Sequence, residues 1–279
     1  MRVSGKGLIN REKTLNFKFD GRNYKGFEGD TVASALLASG KKVFGRSFKY
    51  HRPRGVLTAG SEEPNALITV GQGAFQDPNI RATTQEIFEG LVTKSQNNWP
   101  NLQYDILSIN DLFSDFLGAG FYYKTFMWPK SFWEKIYEPF IRRAAGLGAL
   151  SGLHNSDTYE KAYAFCDLLI IGGGPSGLIA AKIAAEAGLD VILAEQEPIF
   201  GGRLNSETEK VDGIPGSDWA VKIIEELKEL DNVRLFLRTT VTGVYDQGTF
   251  AAVERVGHHL PDRGSDRPLE CFWRIVAKN

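Results

Sequence analysis

The sequence predicts an α/β chain of two domains in series, a ferredoxin-like β-grasp unit followed by an incomplete, three-layer Rossmann-like unit. Three observations predict it. Leu15, Phe17 and Phe19 alternate with polar residues ahead of Asp20-Gly21, the pattern of a half-buried strand entering a hairpin. Leu168–Ile171 is a continuous apolar run that leads at once into Gly172-Gly173-Gly174-Pro175-Ser176-Gly177, as when a strand of a covered parallel sheet opens on a glycine-rich turn. The length, 279 residues, leaves room for two hydrophobic cores.

Taken in order, Tyr24 and Phe27 continue the hairpin after its turn. Asp30 is placed to cap a short helix from Thr31 to Ser39, whose apolar residues are Val32, Ala35, Leu36 and Leu37, and Gly40 stands at its stop. Ala66–Val70 is the next strand, and the β-grasp domain spans 1–95. Residues 96–164 show no clean strand, and Phe113–Phe140 carries 11 aromatics in 28 residues. These rings read first as the packing of a helical linker. A face buried against a partner chain and contact with a membrane are the alternatives. The second domain, 165–279, opens with the strand Asp167–Ile171, a helix from Leu178 to Ala187 closed by Gly188, and the strand Val191–Ala194, together a βαβ unit. Ser217 or Asp218 then caps a helix reaching Leu230. Val233–Leu237 is a strand, Val241–Val256 alternates like a meander, and Cys271–Ala277 is a last strand.

Composition narrows the function. With 33 Lys+Arg against 34 Asp+Glu the net charge is −1, which disfavours a general nucleic-acid binder. The longest stretch free of charge, Leu168–Ala181, is 14 residues, short of the ~20 that a membrane helix needs. Cys166 and Cys271 are the only cysteines, so a disulfide scaffold and a four-cysteine metal or iron–sulfur site are excluded, and a cytoplasmic setting is expected.

The glycine turn satisfies G-x-G-x-x-G in the context that gives the pattern meaning: strand before, helix after, and an acid, Glu195, 18 residues beyond Gly177 at the end of the second strand. Gly172 permits the turn, Gly174 lets a pyrophosphate approach the backbone, and Gly177 lets helix and strand pack. Unpaired N–H groups at the helix start, with Pro175 and Ser176, face the phosphates. Glu195 can accept bonds from ribose hydroxyls and would repel a 2′-phosphate. NAD and FAD share this fingerprint, and both stay open. Gly202 and Arg203, just after the second strand, and Val241 complete the candidate cofactor-binding set. A second unusual segment, Lys41–Arg54, holds six Lys or Arg and no acid, with Phe44, Phe48 and Tyr50 interleaved. It reads as a structural loop or as a contact for cofactor phosphates or an acidic partner. Packing of Arg46, Arg52 or Arg54 against the second domain or its ligand, above a buried Phe48 or Tyr50, is expected. His258-His259 reads as a solvent loop rather than a metal site. No metal ligand set and no nucleophile–base spacing stands out.

Gly29-Asp30-Thr31 leading into Ala33–Leu37, then Arg46-Ser47-Phe48-Lys49-Tyr50-His51-Arg52-Pro53-Arg54-Gly55 and Glu62–Leu67, closely resemble the amino-terminal part of alpha subunits of heterotetrameric sarcosine oxidase. The resemblance runs through the glycine fingerprint to the last residue. It implies beta, gamma and delta partner subunits and the oxidative demethylation of sarcosine, a small amine, to glycine and hydrogen peroxide. The one-carbon unit passes to tetrahydrofolate. It also implies NAD in this chain's Rossmann-like domain, with FAD in the beta subunit and FMN between alpha and beta. No catalytic residue is then expected here, nor any nucleic-acid or membrane contact. Related flavoproteins, the opine oxidases and cyanide-forming glycine oxidoreductases, make FAD the alternative occupant, and a non-catalytic assembly module is a further reading. Some of those relatives carry iron–sulfur cysteines early in the chain, which this sequence lacks. Family alpha subunits are far longer, so a truncated chain or else a naturally split subunit, inactive alone, is expected, with the FMN and folate sites outside it.

Overall fold

The computed structural model describes residues 2–3, 7–121, 126–145, 148–261 and 267–278. It divides near Ser156 and Asp157 into two compact units.

In the first unit, β1 (Asn10–Phe19) and β2 (Arg22–Glu28) form the expected hairpin. Asp20 and Gly21 turn it with φ of 50° and 76°, the pair of positive angles that a two-residue primed turn demands. Helix α1 (Val32–Ala38) follows, but its cap is one residue later than expected. The Thr31 hydroxyl accepts from the Ser34 N–H while the Ser34 hydroxyl accepts from Thr31 N, a reciprocal capping box. The Asp30 carboxylate is buried instead against Arg2, the Phe27 N–H and the Ser34 hydroxyl. Two short strands, β3 (Gly45–Arg46) and β4 (Pro53–Arg54), pair with each other. β5 (Leu67–Val70), β6 (Asp77–Arg81) and β7 (Val92–Ser95) join the hairpin in a mixed sheet of order β2-β1-β7-β5-β6, in which only β1 and β7 run parallel. Phe17, Phe19, Ile68 and Val70 bury their side chains with Val32, Ala35 and Leu36 of α1. This is the β-grasp arrangement.

Residues 96–156 group with this unit rather than standing apart as a linker. They hold 3-10 turns at Ile106–Phe113 and Lys130–Phe132, a π turn at Trp133–Tyr137 and the helix α2 (Glu138–Ala145). The expected ring packing is seen for part of the segment, with Phe121 against Phe126. Phe126 and Tyr137 touch, as do Phe132 and Tyr137, but Phe116, Trp128 and Phe140 lie more than 70% exposed. Tyr122 and Tyr123 fall outside the described residues.

The basic loop finds its anions inside its own unit. His51 Nδ1 lies 2.7 Å from Asp105 Oδ2, and both side chains are buried. Asp105 Oδ1 accepts from Trp99 N, and Arg46 donates to the His51 and Leu102 carbonyls. Arg52 pairs with Asp111 at 2.7 Å, and Tyr50 donates to the Leu117 carbonyl. Arg54 and Phe48 are exposed and Tyr50 is half-buried, and the acids met by Arg46 and Arg52 belong to the same unit.

The second unit has three layers. β8 (Tyr159–Cys166) comes first, ahead of the expected boundary at 165, because it pairs in parallel with the last strand, β16 (Glu270–Ala277). β9 (Leu168–Ile171), α3 (Pro175–Glu186) and β10 (Val191–Ala194) are the βαβ unit. A small hairpin, β11 (Lys210–Val211) with β12 (Ile214–Pro215), precedes α4 (Gly216–Lys228). Neither Ser217 nor Asp218 caps α4, since Pro215 occupies that position and Asp218 falls in the first turn. β13 (Val233–Phe236) completes a parallel sheet of order β13-β10-β9. β14 (Thr239–Tyr245) and β15 (Thr249–Arg255) join β16 and β8 in a second sheet. The helices cover one face of the parallel sheet through Leu178, Ala181, Trp219 and Ile223. The four-stranded sheet covers the other through Ala164, Ala252 and Ile275. His258 is not a solvent residue, since its Nε2 lies 3.1 Å from Glu270 Oε1; residues 262–266 beside it lie outside the described set. No helix among the described residues is long and apolar enough to cross a membrane.

Asp105 is the acceptor on which the basic loop converges. Removing a buried acceptor leaves its partners, here the His51 ring and the Trp99 N–H, unsatisfied and costs about 1–3 kcal/mol. Asp105→Ala is therefore expected to lower the stability of the first unit by that amount in urea unfolding followed by tryptophan fluorescence, while Asp111→Ala, whose pair is exposed, changes it by less than about 1 kcal/mol.

Candidate nucleotide-binding site

The site is built where β9 and β10 end side by side. Gly172 N donates to the Ala194 carbonyl at 2.8 Å, and the chain then turns at φ 102°, in the region open to glycine. Gly174 is the N-cap of α3 and Pro175 its first residue. Proline fits there because the first N–H groups of a helix have no intrahelical partner. Those orphan donors and the positive end of the helix dipole make an anion site, and Pro175 and Ser176 are exposed at its rim.

The glycines serve separate purposes. A Cβ at Gly177 would lie 1.9 Å from the Gly172 carbonyl oxygen, so only glycine lets the helix close onto the turn. A Cβ at Gly174 would meet no protein atom within 4 Å, and its φ of −74° is open to any residue. The space beside Gly174 is thus free on the protein's side, as the approach of a pyrophosphate requires. Gly202, at φ 53°, backs onto this point, since a Cβ there would sit 3.1 Å from the Gly174 Cα. Gly201 N donates to the Gly173 carbonyl at 2.8 Å, which docks the loop after β10 on the glycine turn.

Glu195 is nine-tenths buried at the end of β10. Its Oε2 accepts from Gly173 N at 2.6 Å and its Oε1 from Glu197 N at 2.8 Å. An ionised carboxylate offers about four lone-pair sites, so two remain for ribose hydroxyls. Sequence reasoning missed that this acid also ties down the glycine turn, and Phe200, packed against Gly173, was missed with it. Its only signal was its place just before the Gly201-Gly202 pair. The structure therefore brings together Gly172, Gly174, Pro175, Ser176, Gly177, Glu195 and Gly202. It does not bring in Arg203, which is exposed and donates to Glu207 at 2.7 Å. Val241 sits on β14 opposite Ala252 and packs into the core between the two sheets.

Comparison with known proteins agrees with this geometry. Residues 170–240 match the NAD(P)-binding Rossmann-like domain family, and residues 12–98 match the 2Fe-2S iron-sulfur cluster binding domain family. The chain is 55% identical over 276 residues to the sarcosine oxidase subunit alpha of Rhizobium meliloti (strain 1021), covering 99% of this chain and 28% of that protein. It is 33% identical to the subunit of the same name from Corynebacterium sp. (strain U-96), covering 97% of this chain and 24% of that one. The chain thus spans about a quarter of the length of these curated relatives. In fold it is similar to L-proline dehydrogenase from P. horikoshii, with a TM-score of 0.55, 17% identity, and coverage of 99% of this chain and 42% of that one. The dinucleotide fits the residues present, as the open approach at Gly174 shows. The iron–sulfur cluster does not, because residues 12–98 contain no cysteine, and no group of three His, Cys, Asp or Glu among the described residues is placed to hold a metal ion.

Gly174→Val is expected to keep the fold, since the new side chain enters free space, and to abolish dinucleotide binding. Circular dichroism with titration of NAD and FAD checks both halves; wild-type affinity in the folded variant would remove the turn from the binding site.

Proposed function

The chain is a homologue of sarcosine oxidase alpha subunits along 99% of its length, and on that premise we propose that it is the NAD-binding portion of such an oxidoreductase subunit. One observation carries this reading. An open helix start at Gly174 and a carboxylate with free lone pairs, Glu195, are held against each other through the Gly173 N–H. The turn then receives the pyrophosphate through the first N–H groups of α3, and Glu195 accepts from the adenosine ribose and excludes a 2′-phosphate. Bound NAD supplies a hydride-accepting nicotinamide. This chain's residues bind and orient it, and no catalytic residue is assigned to them.

The wider assignment follows the relatives. The complex pairs this chain with beta, gamma and delta subunits in the cytoplasm and demethylates sarcosine oxidatively to glycine, hydrogen peroxide and a one-carbon unit on tetrahydrofolate. FAD, FMN and folate bind elsewhere in it, and this chain alone is inactive. Extraction of the purified protein followed by mass spectrometry tests the central point: NAD supports the proposal. FAD, with its visible absorption band, would move the chain to the opine-oxidase or cyanide-forming type. No nucleotide, even on titration, would leave an assembly module.

Glu195→Gln is expected to weaken NAD by about 1–3 kcal/mol, the scale of hydrogen bonds to a charged group, and to narrow the preference for NAD over NADP. Calorimetric titration with both nucleotides reads the two effects, and an unchanged preference would take Glu195 out of the ribose role.

A further inference from the structure

The 12–98 domain matches an iron–sulfur family yet has no thiolate to hold a cluster. In its loop between Gly55 and Ala66 the chain folds around a single buried carboxylate. Glu63 has no exposed surface. Its Oε2 accepts from Leu57 N and Thr58 N, each at 2.7 Å, and its Oε1 from Asn65 N at 2.6 Å and Ala66 N at 3.0 Å. Two adjacent pairs of backbone donors, from the two arms of the loop, thus converge on one anion. Among the described residues no Lys, Arg or His forms an ion pair with it. A charge taken out of water without bonded partners is costly. Here the amide dipoles are the partners, in the manner of the concave nests of successive N–H groups that hold phosphates and iron–sulfur centres. Burial pushes the Glu63 carboxyl upward, but the four N–H groups together outweigh it and hold the carboxyl below its ordinary value.

We propose that the loop from Gly55 to Ala66 is an anion nest filled from within by the Glu63 carboxylate, in a domain that is a redox-silent scaffold because it has no thiolate to hold a cluster. Four donors meet the lone pairs of one carboxylate, so the nest is saturated and takes no further ligand while Glu63 is ionised. When the side chain is removed, the same donors become a site for a small free carboxylate. The proposal is independent of the nucleotide reading, because none of its residues belongs to the second unit.

The test is amide hydrogen exchange by NMR on the 279-residue chain. In Glu63→Gln, whose amide offers one acceptor oxygen in place of two, one pair of amides, Leu57 and Thr58 or Asn65 and Ala66, is expected to exchange about tenfold or more faster than in the wild type, the scale of a lost charge-assisted bond. Those of Ile68 and Val70 should hold. In Glu63→Gly, added formate should restore the slow exchange at the same four amides. The wild type gives a reading that needs no variant. A carboxyl whose folded pKa is depressed contributes stability in full above its unfolded pKa, near 4.3, and loses it as pH falls through the folded value. After correction for intrinsic rates, protection at the four amides should therefore fall on acidification while that of Ile68 persists. Equal protection in the wild type and Glu63→Gln would overturn the proposal. So would protection in the wild type that ignores pH through the carboxylate range, or a stoichiometric cluster after anaerobic incubation with iron and sulfide.

Discussion

The second unit depends on the burial of β10 from both sides. Val191 and Leu193 enter the helical layer, and Ile192 and Ala194 enter the core shared with the four-stranded sheet. Full burial of an aliphatic side chain contributes about 1.5–3 kcal/mol, and here both faces of one four-residue strand gain it. The strand is thereby fixed in register with β9 and β13, Ala194 opposite Ile171 and Phe236. The nucleotide site is a consequence of that register. Gly172 finds the Ala194 carbonyl, Glu195 N finds the Phe236 carbonyl, and the Glu195 carboxylate arrives beneath Gly173. A slip of one residue would exchange the two faces of β10 and carry Glu195 away from the turn.

What the sequence made legible was local. The hairpin, α1, the glycine turn and the β9–α3–β10 unit each rest on residues within a few positions of one another, where turn angles, helix propensity and apolar runs act directly. The failures came where a distant partner decides. β8 alternates only weakly, with Ala164 and Cys166 buried and most of its other residues exposed. What makes it a strand is pairing with β16, more than a hundred residues away. The displaced cap at α1 has the same origin. Asp30 and Thr31 are both good caps, and the choice falls to Thr31 because Arg2 and the Phe27 N–H claim the aspartate.

The basic loop shows a signal that was visible but whose meaning was not. Six cations without an acid between Lys41 and Arg54 demand anions nearby, and the sequence offered several. The structure answers three of the six from 102–118: Arg46 donates to the Leu102 carbonyl and lies 3.9 Å from Asp105, Arg52 pairs with Asp111, and Lys49 donates to the Gly118 carbonyl. Lys49 and Arg52 also lie over the Tyr50 ring, at 4.9 and 4.7 Å from its centroid. The Tyr50 ring therefore meets two of the cations while its hydroxyl holds the Leu117 carbonyl of the segment that answers them.

Two buried acids, one in each unit, follow the same physical rule to opposite ends. Glu63 and Glu195 are both met by backbone N–H groups, which cost less to desolvate than a lysine or arginine and are fixed in place by the fold. Glu63 accepts four such bonds, each arm of its loop supplying two, and its capacity is exhausted. Glu195 accepts two, and one of those donors belongs to the turn that a nucleotide would occupy. A carboxylate has about four lone-pair sites whatever its surroundings. Hydrogen-bond capacity therefore separates the acid that closes a structure from the acid left open to a ligand, where residue type and burial, alike in the two, do not.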